Sequence, residues 1–298
     1  MRGVVVALGN FDGVHLGHQE VLRLAVGEGR RRRIPVVAAT FRPHPRAVLG
    51  AGDPPRLLTS AGLKREVLLS YGVDEVVEIT FDLELSRKSP EDFVRDVLVG
   101  ALGARLVVVG ENFRFGYRAS GDFGDLRRLM RGAGGDALAV EVRGAGREGG
   151  ISSSRIRALL TEGDVAAAAS LLGRPYVLRG DVIVGDKRGR SIGFPTANVL
   201  PDADAVVPAR GVYAGFVIVG EDLFAACTNV GVAPTFARDE SRVEAYLLDF
   251  EGDLYGRTVD VGFTSKIRDE KRFSGVEELK AQIQSDVETA RLIAKGLE

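Results

Sequence analysis

An α/β fold followed by an all-β fold is what the sequence predicts. Three observations predict it: apolar β-branched runs alternate with helical periodicity up to about residue 172, short strands punctuated by Gly, Asp and Pro follow from Tyr176, and 298 residues suffice for roughly two domains. Runs at 3–8, 34–40, 75–79, 105–109 and 137–142 supply the strands of the first domain, and the helical stretches between them argue for a parallel sheet. The stretch 161–172 reads as helix, with Asp164 as N-cap before an alanine run and Gly173 then Pro175 stopping it. That stop sets domains of 1–173 and 174–298. Beyond it, YVLRGDVIV, GVYAGFVIV, LFAACTNV, VEAYLLDF and RTVDVGF read as antiparallel strands of a barrel or sandwich. From Gly275 onward, Val276, Leu279, Ile283, Val287 and Ala290 form a helical stripe expected to cover one side of that β-domain.

Composition narrows the function. Hydrophobic residues at 45% and charged residues at 27% exclude a long disordered chain. Lys and Arg total 40 against 41 Asp and Glu, so the basic excess of a nucleic-acid-coating protein is missing and no nucleic-acid partner is expected. No apolar stretch reaches the ~18 residues of a membrane span, and the VVVALG run is cut short by Asn10 and Asp12, so no membrane partner or targeting segment is expected. A single cysteine, Cys227, cannot form an internal disulfide, which points to a reducing, cytoplasmic setting.

The first chemical cluster is GNFDGVHLGH. All three histidines, His15, His18 and His44, fall in the first 44 residues, and two of them occupy the turn between the first strand and the first helix. Gly9, Gly13 and Gly17 let backbone approach a ligand closely, and the helix starting near Gly17 turns its unpaired N–H groups to the same opening. The combination is an anion site in which imidazoles can donate to phosphate oxygens and stabilise developing charge. A His-x-x-His metal pair is the competing use, but neither Cys nor an HExxH glutamate accompanies it. A purely structural, hydrogen-bonded pair is the other.

Two further segments of the first domain fit the same mouth. In ISSSRIR, Ser152 or Ser153 can cap a helix start and Arg157 can reach the carboxyl end of the sheet; an ordinary capped helix with a solvated arginine is the bland alternative. GENFRFG follows the strand LVVV and puts Asn112, Phe113 and Phe115 in a carboxyl-end loop, where open α/β sheets bind ligands; core packing is the other use for the two rings. Gly144, Gly146 and Gly149 spell GxGxxG, but RGAGREGG reads as a loose loop rather than a dinucleotide site, and Arg30 to Arg33 read as a solvated helix end.

The second domain has no Walker A lysine, since no lysine follows a glycine. It offers instead Gly185, Gly189 and Gly193 among Lys187, Arg188 and Arg190, followed by FPTAN. Backbone amides there can cradle phosphates, and Thr196 and Asn198, two apart on an extended strand, face one side and can hold Mg²⁺. A basic hairpin loop with both side chains in solvent is the alternative.

GNFDGVHLGH, TFRPHP (40–45), GENFRFG and ISSSRIR, in this order, resemble the nucleotidyltransferase half of the bacterial bifunctional riboflavin kinase/FMN adenylyltransferases, or FAD synthetases. GRSIGFPTAN, GVYAG (211–215), NVGVAPTF (229–236), VEAYLLDF (243–250) and IRDEKRF (267–273) resemble the riboflavin kinase barrel of the same family. The resemblance implies a Rossmann-like nucleotidyltransferase domain with a parallel sheet, then an antiparallel β-barrel with a C-terminal helix. It implies ATP-dependent phosphorylation of riboflavin to FMN by the second domain and adenylylation of FMN to FAD, with release of pyrophosphate, by the first; ATP is co-substrate and Mg²⁺ the cofactor. By the same similarity Glu244, His15 and His18 are catalytic. Gly9, Asn10, Phe11, Gly17, Ser153, Ser154 and Arg157 bind ATP in the first domain. Gly185, Lys187, Gly189, Arg190, Thr196 and Asn198 bind it in the second, the last two also holding Mg²⁺, and Asn112, Phe113, Phe115 and Arg268 contact flavin. The two reactions differ in need: a ribityl hydroxyl keeps its proton at pH 7 and calls for a base, whereas the FMN phosphate, with a second pKa of about 6, is already largely dianionic. A different nucleotidyltransferase with an appended flavin-binding β-domain, and a flavin-binding module without turnover, are the other readings.

Overall fold

The computed structural model describes residues 3–50, 52–141, 150–185, 189, 192–232 and 241–295. Packing divides the chain into two compact units, 1–56 with 61–153 and 57–60 with 154–298. Lys187, Arg188, Arg190 and the glycines at 144, 146 and 149 lie outside the described residues.

The first unit is built on a parallel sheet of β1 (Val4–Leu8), β2 (Val36–Arg42), β3 (Glu75–Thr80), β4 (Ala104–Gly110) and β5 (Asp136–Val140), in the order β3-β2-β1-β4-β5. β1 is a continuous apolar run because both its faces are covered. Val5 and Ala7 pack with Val21, Leu22 and Ala25 of α1 (Leu16–Arg32). Val6 and Leu8 pack on the other side with Phe93 and Leu98, from a π-helical stretch over Phe93–Ala101, and with Leu126. At the far end of α1, Arg31 and Arg32 pair with Glu28 at 2.6 and 2.9 Å, the solvated helix end the sequence indicates. The strand order reverses direction between β1 and β4. The loops after these two strands, GNFDGVH and ENFRFG, therefore flank the crevice where such sheets take their ligands.

The second unit is a closed antiparallel barrel, which decides between barrel and sandwich. Its strands β6 (Tyr176–Ile183), β7 (Ala197–Pro201), β8 (Gly211–Val219), β9 (Asp222–Val232), β10 (Ser241–Leu247) and β11 (Thr258–Arg268) run in the order β10-β7-β6-β11-β8-β9, with β9 pairing β10 to close it. The helix expected over 161–172 is two helices. Gly163, at φ +84°, and Asp164 separate Ser153–Glu162 from Val165–Leu172, and Asp164 caps the second by accepting from the Ala167 N–H at 2.9 Å. Ile156, Leu160, Val165, Ala168 and Leu172 bury against Leu178, Tyr213 and Phe263 of the barrel. The packing division at 153/154 thus precedes the change of sequence pattern at 173, because these helices spend their apolar faces on the barrel. The final helix, Val276–Lys295, lays Val287 and Ala290 on Val212, Ala214 and Cys227. Val276, expected on that stripe, is 55% exposed, since the buried stretch of the helix begins later, at Asp286. Among the described residues no helix is long and apolar enough to cross a membrane.

Candidate active sites

In the first unit β1 ends at Leu8 and the chain enters a tight turn with Phe11 at φ +48°, Gly13 at +81° and Val14 at +42°. Buried contacts offset that strain. The Thr40 hydroxyl donates to the Asn10 carbonyl at 2.9 Å, the Gln19 amide to the Val14 carbonyl at 3.0 Å, and the Ser153 hydroxyl to the Asp12 carbonyl at 2.9 Å. His15 is the N-cap of α1, its Nδ1 accepting from the His18 backbone N–H at 3.4 Å. A neutral imidazole that accepts at Nδ1 carries its proton on Nε2, where it can donate. The two imidazoles stack with centroids 3.6 Å apart, and Phe11 meets His18 edge-on at 5.3 Å. Phe11 itself is in the core, so it backs the histidine pair, while Asn10 is exposed and Gly17 is buried in the first turn of α1.

Burial, then the neighbouring His15 and Lys64, holds the His18 pKa well below its ordinary 6.5. Its Nδ1 is buried and finds no hydrogen-bond partner among the described residues. Lys64, on the helix Ala61–Ser70, donates to the Thr40 hydroxyl at 3.3 Å, and burial lowers its pKa against the pull of Asp12 and Glu78. A cation thus sits behind the turn, coupled to it through Thr40 and the Asn10 carbonyl. His44, the third histidine, is spent locally, capping Pro45–Val48 by accepting from the Arg46 N–H.

After β4, Phe113 and Phe115 stack at 5.6 Å, and Phe115 also meets Phe93 at 5.8 Å. Phe115 belongs to the core and Phe113 is half-buried; Phe113 and the exposed Asn112 line a shallow cavity of about 360 Å³ with Arg114 and Phe123. Ser153 belongs to the first unit by packing. Ser154, exposed, and Arg157, half-buried, lie on the same helix and are counted with the second.

In the second unit, strand alternation decides what faces where. Val243, Ala245 and Leu247 of β10 fill the barrel, so Arg242, Glu244 and Tyr246 stand on its outer face. Glu244 pairs directly with Asn198 on β7 and with Asn229 on β9, which makes a polar row across three adjacent strands. Arg242 donates from Nε and Nη2 to Asn198 Oδ1 at 3.0 and 2.8 Å, and its Nη2 lies 2.9 Å from Glu244 Oε1. Asn198 is 9% exposed, so it does not sit in a solvated loop. Gly185 closes over it and Gly189 over the segment before it: a Cβ on Gly185 would stand 2.3 Å from Asn198 Nδ2, and one on Gly189 would stand 2.3 Å from the Phe194 carbonyl oxygen and 3.3 Å from Thr196 Oγ1.

Two cavities meet along this row. One, of about 510 Å³, runs over Pro195, Asn198, Phe250 and Tyr255. The other, of about 330 Å³, lies between Phe194, Tyr246, Phe273 and the final helix, with Cys227 and Asn229 in its wall. Gly189, Thr196, Arg242 and Glu244 line both. Arg268 also lines the second cavity, with its guanidinium tied to the buried Asp286 of the final helix at 2.7 to 3.1 Å and to the Asp269 carbonyl at 2.9 Å. Burial pushes the Cys227 thiol up to about 12. Sequence reasoning missed Arg242, although counting two back from Glu244 along a strand finds it. It also missed Lys64, Asn229 and Asp286, whose roles arise from strand register and tertiary contact that no local pattern carries.

Known proteins match in two parts, as the fold does. The FAD synthetase family model covers residues 1–155 and the riboflavin kinase family model residues 172–294. The bifunctional riboflavin kinase/FMN adenylyltransferase of Escherichia coli K12 is 41% identical over 293 residues, spanning 97% of this chain and 92% of its own. That of Bacillus subtilis 168 is 36% identical over 290 residues, spanning 96% and 91%. A crystal structure described as a macrolide-efflux protein from Streptococcus pneumoniae is similar with a TM-score of 0.87 at 33% identity, over 97% of this chain and 94% of that one. The chain belongs to the bifunctional riboflavin kinase/FMN adenylyltransferase family.

Proposed function

We propose that this protein phosphorylates riboflavin to FMN on its barrel unit and adenylylates FMN to FAD on its parallel-sheet unit, using ATP in both steps, in the reducing cytoplasm that its lone buried Cys227 suits. The observation that carries the reading is the meeting of two cavities on one carboxylate: Glu244 lines both, with Thr196 beside it. A nucleotide in the larger cavity and an aromatic alcohol in the smaller bring a phosphoryl group and a hydroxyl together there.

In the kinase step Glu244 takes the proton of the ribityl hydroxyl as its oxygen bonds to the γ-phosphorus, the bond from that phosphorus to the bridging oxygen breaks, and ADP leaves. Gly185, Gly189 and the GDKRGR segment cradle phosphates. Thr196 Oγ1 and Asn198 Oδ1 are neutral oxygen donors of the kind Mg²⁺ takes, and the Glu244 carboxylate stands on the same face, so the donor types fit the metal once the Arg242 guanidinium leaves Asn198 Oδ1. Bound there, Mg²⁺ supplies charge neutralisation of the phosphate oxygens. Phe194, Tyr246 and Phe273 give the flavin ring its apolar wall, and Arg268, fixed by Asp286, stands at the edge of the same cavity.

In the adenylylation step the FMN phosphate oxygen attacks the α-phosphorus and pyrophosphate leaves, so no base is required. His15 and His18 donate to the phosphates around that phosphorus. Gly9, Asn10 and Gly17 bring backbone close, Phe11 holds the imidazoles in place, and Ser153, tied to the Asp12 carbonyl, takes phosphate, the role that the resemblance also gives Ser154 and Arg157. Phe113, backed by Phe115, and Asn112 receive the flavin. Incubating the protein with riboflavin and MgATP and separating the flavins tests the reading: FMN and then FAD should accumulate. FAD formed from added FMN without riboflavin turnover would leave only a nucleotidyltransferase with a β-domain appended, and riboflavin bound without turnover would leave only a binding module.

A further inference from the structure

Arg242 has no part in the chemistry so far, yet it holds both groups on which the kinase step turns. Its Nε–H and Nη2–H fill the two lone pairs of Asn198 Oδ1, and its Nη2 pairs with Glu244 Oε1. One guanidinium therefore occupies the oxygen offered to the metal and neutralises the carboxylate offered as base. It does so from a position lining both cavities. Arginine cannot surrender its proton in a protein, so deprotonation does not break the pair, whereas a phosphate that accepts two parallel N–H bonds competes for the guanidinium.

We propose that Arg242 is a γ-phosphate-binding residue, held in reserve on Asn198 and Glu244 and exchanged onto the terminal phosphate when nucleotide binds. The exchange frees Asn198 Oδ1 and the Glu244 carboxylate as ATP arrives, and it places a positive charge where negative charge gathers during transfer. Because the anion that draws the guanidinium away is the γ-phosphate, ADP leaves the resting pairs in place. The inference rests on the kinase reading of the barrel.

The test is calorimetric titration of the full-length protein with AMPPNP and with ADP, each with Mg²⁺, for wild type, Arg242→Gln and Arg242→Lys. The nucleotide site of the other unit is untouched by either substitution. Arg242→Gln should weaken one AMPPNP binding event by about tenfold to a hundredfold, the loss of a charged hydrogen bond, while ADP binding stays within about threefold. Two ADP binding events, both at wild-type affinity, also show that the barrel site has folded. Arg242→Lys should recover part of the AMPPNP loss, and riboflavin consumption by Arg242→Gln should show a raised KM for ATP. Equal weakening of AMPPNP and ADP, or AMPPNP binding unchanged, overturns the proposal and leaves Arg242 a structural pair on the strand. The kinase reading fails separately: a wild-type protein that consumes no riboflavin takes down both, whereas one that makes FMN beside an Arg242→Gln variant with unaltered AMPPNP affinity takes down this inference alone.

Discussion

Glu244 gains its position from pairing register: Asn198 on one side and Asn229 on the other hold the strand, and Arg242 sits two residues away on the same face. Glu244→Gln keeps that shape and removes the base, so riboflavin consumption should fall by about 10²- to 10⁴-fold in a flavin chromatography assay. Cys227 makes a smaller claim. With its thiol pushed up to about 12 by burial, it should resist a disulfide reagent at pH 8 in the folded protein and react promptly in denaturant; fast native labelling would show the cavity wall to be open. At this scale the motifs made Thr196, Asn198, His15 and His18 legible, because glycines and special side chains cluster in short segments. Whether Phe113 or Phe115 enters the core was not legible, since both rings alternate with polar residues and only the packing of Phe93 separates them. Lys64 reads as an ordinary helix lysine until tertiary structure buries it.

Elements carry their own predictions. The final helix is fastened to the barrel by Arg268 and Asp286, with Gln282 adding a bond to the same carboxylate at 2.9 Å. Asp286→Ala leaves the guanidinium unpaired at a largely buried site and should lower the stability of the barrel unit by about 3 kcal/mol in urea unfolding; a change near zero would mean that apolar contacts alone hold the helix. The turn between β1 and α1 should be acid-sensitive. Above pH 6.5 His18 is neutral whether folded or not, but below it the unfolded chain takes up a proton that the buried imidazole refuses. Stability of the first unit therefore falls as pH drops through this value toward the lowered folded pKa, by up to about 1.4 kcal/mol per pH unit. His18→Gln should flatten that slope in unfolding curves at pH 5 and pH 7. The five parallel strands were readable to within two residues at each end because the central ones are unbroken apolar runs and the edge ones keep short β-branched or apolar cores. The break at Gly163 was half legible: Asp164 was readable as the N-cap of Val165–Leu172, while the end of the preceding helix at Glu162 was not. Barrel closure was legible through the family resemblance but not from strand pattern, since the pairing of β9 with β10 depends on residues meeting across the whole sheet.

At the scale of the molecule, the two packing units hold different side-chain sets: imidazoles at the mouth of a parallel sheet, and a carboxylate with Thr and Asn on the outer face of a barrel. The division of labour follows from the nucleophiles, one needing deprotonation and the other already charged. The most direct measurement crosses two variants with two substrates. Glu244→Gln and His18→Ala are each given MgATP with riboflavin or with FMN, and flavins are quantified by chromatography. Glu244→Gln should lose riboflavin turnover and convert FMN to FAD at the wild-type rate, while His18→Ala should stop at FMN with FAD formation reduced by about 10²-fold or more. Loss of both activities in either variant, or full FAD synthesis by His18→Ala, would contradict two independent sites of this composition.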